Sequence, residues 1–345
     1  MNRTARPTSA DELAVLLQSR PGRVRLCGTG SRRDRLPPAA DALLVDMRGI
    51  ATIDRLDAQD LTCSVDAGVE RAALDRELHT RGVELACAGD GTVGGLFAAD
   101  PVGAVAYGGG SPRTLLLGLD AVLADGTRWK SGARVVKSVA GFDVHRLLVG
   151  SEGRLFAATR LHLRLRPLPR ATVWFCNRGL DVATAHSLFT TLRNLALPPA
   201  ALHWSRGPDG HAIAGRIAGR APHVAATLRA HSLRESAPFQ DLHLEPPAGG
   251  EVLNGIVLPS RVPALLARAP ADAPFVLHGG GRFELSLAAP AATDALLAIA
   301  EAIPCQAVVV RGEPARRGRG TPIDPGARRL AETLKHALDP DGVFV

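Results

Sequence analysis

The chain has 345 residues, a formal net charge of +7, 46% hydrophobic residues and 22% charged residues, which are globular proportions in a chain long enough for two domains. Aromatic residues make up only 4% of it, so platforms for stacking nucleic-acid bases are scarce and no nucleic-acid partner is expected. The five cysteines lie far apart without a Cys-x-x-Cys pair, which argues against a zinc site, an iron–sulfur cluster or a disulfide framework and fits a reducing compartment.

Neither a secretory signal nor a membrane span is predicted. The N-terminal residues carry no apolar core, and the longest apolar run, residues 115–124, is short and interrupted by Asp120. A cytoplasmic protein without a direct membrane span is therefore expected.

The first half of the chain alternates short strands with loops of small residues. Its predicted elements are a helix that follows a capping box at Ser9, strands at residues 23–27, 43–46 and 61–65, and a helix at residues 70–81. The first strand leads into Gly28-Thr29-Gly30-Ser31-Arg32, where consecutive backbone N–H groups could form an anion nest. A tight turn is the alternative, and this loop alone favours it because the third glycine of a dinucleotide fingerprint is missing.

A second loop of small residues, Asp90-Gly91-Thr92-Val93-Gly94-Gly95, precedes a predicted helix that includes Ala98. Glycines allow φ > 0 and a close approach of the backbone to a ligand, and a helix N-terminus favours a phosphate. Two such loops in one domain could hold one pyrophosphate from both sides. A glycine-rich hairpin is the alternative interpretation.

The following segments predict a turn, a hairpin and a long strand. Residues 107–111 (Tyr-Gly-Gly-Gly-Ser) predict a flexible turn, and Asp125-Gly126 predicts a type I′ turn between two strands. Farther on, leucines alternate with polar residues from Leu161 to Arg166. This alternation predicts a half-buried strand with His162 on its solvated face.

The second half of the chain, after Pro167-Leu168-Pro169, has a different order of predicted strands and helices. Its strands and helices follow the strand-helix-strand-strand-helix-strand order of a ferredoxin-like domain, here in a larger sheet. A last amphipathic helix is predicted at residues 325–338. Residues 311–319, rich in Arg with Gly and Pro, are interpreted first as a mobile loop, then as a contact for an anion or a partner, and last as a nucleic-acid arm.

The segment from Lys137 to Asp143 carries the most specific pattern of the chain. Lys137-Ser138-Val139-Ala140-Gly141-Phe142-Asp143, continued from Arg146 to Gly150, resembles a signature of the FAD-binding family of the vanillyl-alcohol oxidase and p-cresol methylhydroxylase (PCMH) type. Within that family the chain is most similar to the E subunits of bacterial glycolate oxidases. The run from Ser111 to Gly118, which contains Arg113, is similar to a further segment of those subunits.

The resemblance implies an α+β fold with a two-subdomain PCMH-type FAD-binding domain at residues 1–168, a ferredoxin-like α+β cap domain at residues 169–320, and a C-terminal helix at residues 321–345 that returns to the FAD domain. It implies FAD as the cofactor, held without a covalent bond because the first loop contains no histidine. It implies no metal. The residues that it implies for FAD binding are Gly28, Thr29, Gly30, Ser31, Arg32, Asp90, Gly91, Thr92, Val93, Gly94, Gly95, Ala98, Arg113, Lys137, Gly141, Phe142, Asp143, Gly150, Glu152 and Gly153.

Two of the departures from the family pattern bear most directly on the site. Gly153-Arg154-Leu155-Phe156 stands where a Gly-Thr-Leu-Gly turn is usual, which puts bulky side chains at a site of close backbone approach. The histidine-rich cap motif of related 2-hydroxyacid dehydrogenases is reduced to His278-Gly279-Gly280-Gly281-Arg282. We interpret His278 as a strand-end histidine and assign no catalytic residue.

Two functions are consistent with these residues. The resemblance implies an FAD-binding subunit of a multisubunit 2-hydroxyacid oxidoreductase of the glycolate or lactate type, which relays electrons or supports a catalytic flavoprotein partner. The implied partners are a second FAD-binding catalytic subunit and an iron–sulfur subunit. Such a protein is cytoplasmic, or peripheral to the inner membrane through its partners. The alternative is a degenerate flavin-fold scaffold that binds partners and little or no FAD.

Overall fold

The computed structural model of the protein describes residues 3–20, 22–31, 39, 41–100, 103, 105–134, 142–238, 243–299 and 302–345. Of the signature at Lys137 to Asp143, only Phe142 and Asp143 are among the described residues. The described residues form a mixed α+β fold, as the sequence predicts.

Strands and helices are numbered in chain order. The strands are β1 (Thr4–Ala5), β2 (Val24–Cys27), β3 (Leu43–Asp46), β4 (Ile53–Asp57), β5 (Thr62–Asp66), β6 (Val83–Glu84), β7 (Leu116–Val122), β8 (Arg128–Gly132), β9 (Ala157–Arg164), β10 (Arg166–Pro167), β11 (Ala171–Leu180), β12 (Ala201–Gly207), β13 (Gly210–Gly219), β14 (Glu235–Ser236), β15 (Glu251–Val257), β16 (Phe275–His278), β17 (Arg282–Leu287) and β18 (Cys305–Arg311). The helices are α1 (Ala10–Gln18), α2 (Arg71–Thr80), α3 (Val93–Ala99), α4 (Val105–Gly109), α5 (Pro112–Leu115), α6 (Val182–Arg193), α7 (Ala221–Ala230), α8 (Val262–Leu266), α9 (Pro290–Ala298) and α10 (Pro325–Leu338).

A small parallel sheet opens the fold, with its strands in the order β1-β3-β2. Helix α1 begins at the predicted cap, because the Ser9 hydroxyl accepts a hydrogen bond from the Glu12 N–H at 3.1 Å. The apolar residues of α1 share a core with β2 and β3. Phe344, near the C-terminal end of the chain, belongs to the same core and forms a parallel bridge to Val24.

A five-stranded antiparallel sheet follows, with its strands in the order β4-β5-β9-β7-β8. Leu161 and Leu163 on β9 are fully buried against residues of α2 and α3, which confirms the alternation predicted for this strand. The prediction that His162 is solvated was wrong. Its Nδ1 lies 2.8 Å from the Ser64 hydroxyl oxygen on β5, its side chain is only 18% exposed, and this burial lowers its pKa.

The turn between β7 and β8 also differs from its prediction. A type I′ turn needs φ > 0 at both central residues. Here Gly126 has a φ of 83°, whereas Asp125 is not among the residues with positive φ. The Thr127 N–H reaches the Asp125 carboxylate at 2.8 Å, and the Gly126 N–H donates to the Leu123 carbonyl at 3.0 Å. The turn is therefore stabilised by a hydrogen bond to the Asp125 carboxylate, which the Asp-Gly pair in the sequence does not predict.

Two ferredoxin-like units build the eight-stranded antiparallel sheet of the second half. The strand order is β14-β11-β13-β12-β16-β17-β15-β18. The first unit runs from β11 to β14 and the second from β15 to β18, and each has the order strand-helix-strand-strand-helix-strand. In each unit the strands lie in the order fourth, first, third, second, so the sheet is two copies of the predicted plan joined edge to edge through their second strands.

A buried histidine pair lies at the junction of the two units, where His203 on β12 is opposite His278 on β16. As the sequence predicts, His278 is the last residue of its strand, but it is only 2% exposed. Burial lowers the pKa of His203 to about 4 and that of His278 to about 3. Both rings are therefore uncharged at neutral pH.

The segment predicted as a flexible turn, residues 107–111, is largely helical and closely packed, because α4 ends at Gly109. The Tyr107 hydroxyl donates a hydrogen bond to the carbonyl of Arg193 in α6. A Cβ at Gly108 would lie 2.5 Å from the Cα of Ala200, and one at Gly109 would lie 2.2 Å from the carbonyl oxygen of Ala86. Gly108 thus allows backbone contact between the two halves of the chain, and Gly109 allows it within the first half.

The C-terminal segment returns to the first half. Lys335 on α10 donates through Nζ to the carbonyl oxygens of Arg154 and Phe344, at 2.7 and 2.8 Å. The predicted boundaries at residues 168 and 320 remain predictions. Among the described residues, no helix has both the length and the apolar character to cross a bilayer.

The glycine contact predicts a loss of stability on a one-atom substitution. We expect Gly108→Ala to lower the free energy of unfolding by about 1–3 kcal/mol, because its methyl group has no space against Pro199 and Ala200. Gly207→Ala is the matched control, since a Cβ there meets nothing within 4 Å. Thermal unfolding of both variants measures this, and equal melting temperatures would contradict the packing described for α4.

The histidine pair predicts a dependence of stability on pH. An unfolded histidine titrates near pH 6.5, so below that pH the unfolded chain takes up protons that the buried rings of the folded chain do not. The free energy of unfolding is therefore expected to fall as the pH drops from about 6.5 to about 4, by up to ~1.4 kcal/mol per pH unit for each histidine. His278→Leu should make the slope measured by urea unfolding shallower, and an unchanged slope would show that this ring does not contribute.

Candidate functional site

A cavity of about 470 Å³ lies between the first half of the chain and the second unit of the eight-stranded sheet. Ten of the residues predicted to bind the cofactor form part of its wall. These are Gly28, Thr29, Gly30, Ser31, Thr92, Gly94, Gly95, Ala98, Glu152 and Gly153. Its volume is in the range of sites for cofactors and other small molecules.

The two glycine-rich loops are in direct contact at this cavity. A Cβ on Gly28 would lie 2.1 Å from Oγ1 and 2.7 Å from Cγ2 of Thr92, so only glycine allows this approach. Thr92 is 3% exposed, and its hydroxyl accepts the Gly95 N–H at 3.3 Å as the cap of α3. Gly30 has a φ of 80°, a left-handed conformation that favours glycine. The loops therefore form one packed unit.

The backbone N–H groups at the start of α3 already have partners within the protein. The Val93 N–H donates to the Val69 carbonyl and the Gly94 N–H to the Ala67 carbonyl, both at 2.8 Å. A Cβ on Gly94 would also lie 2.7 Å from the Cβ of Ala67, so this glycine serves helix packing. The second loop thus forms part of the cavity wall, but its Val93 and Gly94 N–H groups are already bonded within the protein. The sequence had suggested that both loops hold a pyrophosphate.

The opposite wall comes from the second unit of the sheet. It includes Asn254 on β15, Arg282 on β17 and residues 308–310 on β18. Arg282 donates from Nη1 to the backbone carbonyl of Asp100 at 3.1 Å, and from Nη2 to its carboxylate at 2.5 Å. The ion pair joins the sheet to the C-terminal end of α3 and spans the two sides of the cavity.

The cavity wall is rich in arginine. Four arginines and two acidic residues, Arg25, Arg154, Arg282, Arg317, Asp100 and Glu152, line it. Their formal charges leave an excess of positive charge, which suits an anionic ligand. Sequence reasoning missed Arg25, Asn254 and Asp100. No local signal marks them, because they reach the cavity only through the packing of the two halves. Arg317 belongs to residues 311–319, for which contact with an anion or a partner was the second interpretation.

The remaining predicted residues lie elsewhere or outside the described part of the chain. Asp90, Gly91, Val93, Arg113, Phe142, Asp143 and Gly150 do not line the cavity. Val93 is fully buried in the core, Phe142 is 92% exposed, and Asp143 pairs with Arg146 at 2.9 Å. Arg32, Lys137 and Gly141 lie outside the described residues. Their roles in binding stay predictions.

The two bulky residues that depart from the family pattern have separate positions. Phe156 is 1% exposed and packs edge-on against Trp129, with ring centroids 5.2 Å apart. It belongs to the core of the first half and also lines the cavity. The Arg154 side chain lies in the cavity wall near Arg25 and Glu152. The substitutions therefore leave the cavity open and change its charge.

His278 does not line the cavity, so the structure gives it no contact with a ligand there. Among the described residues, no group of three or more His, Cys, Asp or Glu side chains is arranged to hold a metal ion.

Comparison with known proteins relates this site to FAD. The FAD binding domain family matches residues 2–132 of the chain. The chain is 30% identical to D-lactate dehydrogenase of Archaeoglobus fulgidus over 173 residues, which are 48% of this chain and 39% of that protein. It is also 30% identical to the glycolate oxidase subunit GlcE of Escherichia coli over 134 residues, which are 37% of this chain and 38% of that protein. The chain thus spans less than two fifths of the length of these relatives.

The fold itself extends over almost the whole chain in solved structures. An alkyldihydroxyacetonephosphate synthase superposes with a TM-score of 0.73 over 99% of this chain and 75% of that one, at 14% sequence identity. At this identity the likeness shows the fold alone. Residues 2–132, which include both glycine loops of the cavity, match the FAD binding domain family.

Proposed function

We propose that the chain is the FAD-binding subunit of a multisubunit oxidoreductase that acts on small 2-hydroxy acids of the glycolate or lactate type. The observation that carries this proposal is the cavity between the paired glycine loops and the arginine-bearing wall of the sheet. The relatives named D-lactate dehydrogenase and glycolate oxidase subunit support the substrate class.

The residues of the first half fit FAD. Gly28 to Ser31 form the wall with positive φ at Gly30, and Thr92 holds this loop against α3, so a pyrophosphate can approach the backbone closely. Arg25 and Arg154 add positive charge beside it. FAD, when bound, supplies the acceptor for the hydride that leaves the α-carbon of the substrate.

The sheet wall contributes the substrate side of the site. Arg282 and Asn254 present a cation and an amide to the same cavity, while residues 308–310, all valine, close it with apolar surface. An apolar wall with a few convergent polar groups is typical of a site for a small polar substrate. The described cavity wall shows no histidine, so deprotonation of the substrate hydroxyl belongs to another group or to the second flavoprotein subunit. A second FAD-binding subunit and an iron–sulfur subunit are the partners that we propose.

The scaffold hypothesis makes the opposite prediction for the cavity. A flavin fold that no longer binds FAD has no need to keep Gly28 against Thr92 or to leave the space between the loops and the sheet unfilled. The open cavity favours the FAD-binding function, and the cofactor content of the protein decides between the two.

The proposed function predicts that the purified protein carries FAD. We expect a visible flavin absorption spectrum, release of FAD rather than FMN on denaturation, and bleaching of the spectrum when D-lactate or glycolate is added without oxygen. Bleaching that needs the partner subunits would support a relay role for this chain. A colourless protein that takes up no added FAD would refute FAD binding and support the scaffold.

A second prediction concerns the contact between the loops. Gly28→Ala should weaken FAD binding about tenfold or more, because its methyl group pushes the first loop away from Thr92. Gly28→Ala combined with Thr92→Ser should not regain the wild-type affinity, since serine lacks the methyl group at 2.7 Å but keeps the hydroxyl oxygen at 2.1 Å. Fluorescence titration of the apoprotein with FAD measures both. Equal affinity of Gly28→Ala and the wild type would show that this loop does not hold the cofactor.

A further inference from the structure

We propose that Arg282 binds the carboxylate of the substrate, and that the Asp100 carboxylate occupies the same guanidinium until the substrate displaces it. This proposal rests on the proposed function and names the residue that selects a 2-hydroxy acid over an alcohol. It assigns to the Asp100–Arg282 pair a role beyond joining two parts of the chain.

The position of Arg282 follows from the register of the sheet. Arg282 lies opposite Ile256, and Glu284 lies opposite Asn254, on the paired strands β17 and β15. Residues two apart on a strand point to the same face, so Arg282 and Asn254 extend from one face. Both side chains line the cavity. The other face carries Phe283 and Leu285, which are fully buried in the core of the second half.

The contact that Arg282 makes is already a contact with a carboxylate. Its Nη2 reaches Asp100 Oδ2 and its Nη1 reaches the Asp100 backbone carbonyl. These bonds use two of the five N–H donors of the guanidinium. The Arg282 side chain is 38% exposed, against 16% for Asp100, so the guanidinium remains accessible from the cavity. A planar fork of this kind fits both oxygens of a small carboxylate.

Asp100 is held at this point by its backbone. It is the C-terminal cap of α3, with φ of 44° and ψ of 61°, and its N–H donates to the Leu96 carbonyl at 3.2 Å. A left-handed conformation is unfavourable for most side chains but is tolerated by Asp and Asn. Helix α3 begins at the second glycine loop, and its cap Asp100 places a carboxylate against Arg282. Arg282 is the only arginine in the described part of β17, and it lines the cavity.

A purely structural ion pair is the competing explanation, and the chain contains a control for it. Arg216 on β13 and Glu84 on β6 also join the two halves, with 4.0 Å between Nη2 and Oε1 and both side chains 17% exposed. Neither residue lines the cavity. If Arg282 serves only to join the two halves, the removal of either arginine will have the same kind of effect.

The test measures carboxylate binding to the FAD-loaded protein by two methods that need no turnover. D-lactate and oxalate are titrated by calorimetry and by the perturbation of the flavin absorption spectrum. We expect Arg282→Gln to weaken binding about ten- to a hundredfold, Arg282→Lys to lose less, and Arg216→Gln to bind as the wild type does. Asp100→Asn, which keeps a residue that tolerates the left-handed conformation, should bind oxalate about threefold tighter or more, because the competing charge is gone.

Two results would overturn the proposal. One is equal affinity of Arg282→Gln and Arg216→Gln for oxalate at equal FAD content. The other is a loss of affinity in Asp100→Asn as large as that in Arg282→Gln. Failure of the proposed function is a separate outcome: if D-lactate and glycolate never reduce the flavin but oxalate binding still depends on Arg282, the carboxylate site stands and the oxidation does not. If a 2-hydroxy acid reduces the flavin with the same KM in Arg282→Gln and the wild type, the oxidation stands and the carboxylate site does not.

Discussion

The site depends on one contact, in which the Thr92 side chain occupies the space where residue 28 would carry a Cβ. The same hydroxyl accepts the Gly95 N–H and begins α3. One buried side chain therefore fixes the first loop, the second loop and the axis of α3 relative to one another. Because Asp100 is the C-terminal cap of α3, the contact also sets where that carboxylate meets Arg282 on the facing sheet. Packing within the first half thus positions one wall of the cavity.

The two units of the eight-stranded sheet, on the other side of the cavity, make different contributions. The first unit makes several contacts with the first half, through α4 against Ala200, the Tyr107–Arg193 hydrogen bond and the Arg216–Glu84 pair. The second unit supplies the cavity wall from β15, β17 and β18. The second unit also contacts the first half through the Arg282–Asp100 pair, so the arginine at the cavity takes part in the attachment of the sheet.

The features that could be predicted from the sequence are those set by neighbouring residues or by a repeating pattern. The leucine alternation of β9, the cap of α1 and the two glycine loops were recognisable because each is set by neighbours within a few residues. Glycines were misread where their reason is distant: the run at 107–111 looks like a flexible turn, yet it is needed for contact with Ala86 and Ala200. The contact between Asp100 and Arg282 joins residues 182 positions apart and could not be found from either one. The strand and helix order of a ferredoxin-like domain in a larger sheet could be predicted, whereas its repetition as two units joined edge to edge could not.

The distribution of arginine ties the charge of the chain to its function. Much of the positive charge is bound within the protein: Arg316, in the segment interpreted as a mobile loop, pairs with Glu251 and Asp294, and Arg160 pairs with Asp66 at 2.8 Å. Carboxylates held in this way cancel charge locally, so the net +7 does not describe a uniformly basic surface. The cavity is different, because its four arginines face two acids. A site that must receive a pyrophosphate and then a small carboxylate needs such a local excess. Before the substrate carboxylate binds, Asp100 neutralises the charge of Arg282, so the excess of positive charge destabilises the folded protein less. We propose that the substrate carboxylate then displaces Asp100 from this arginine.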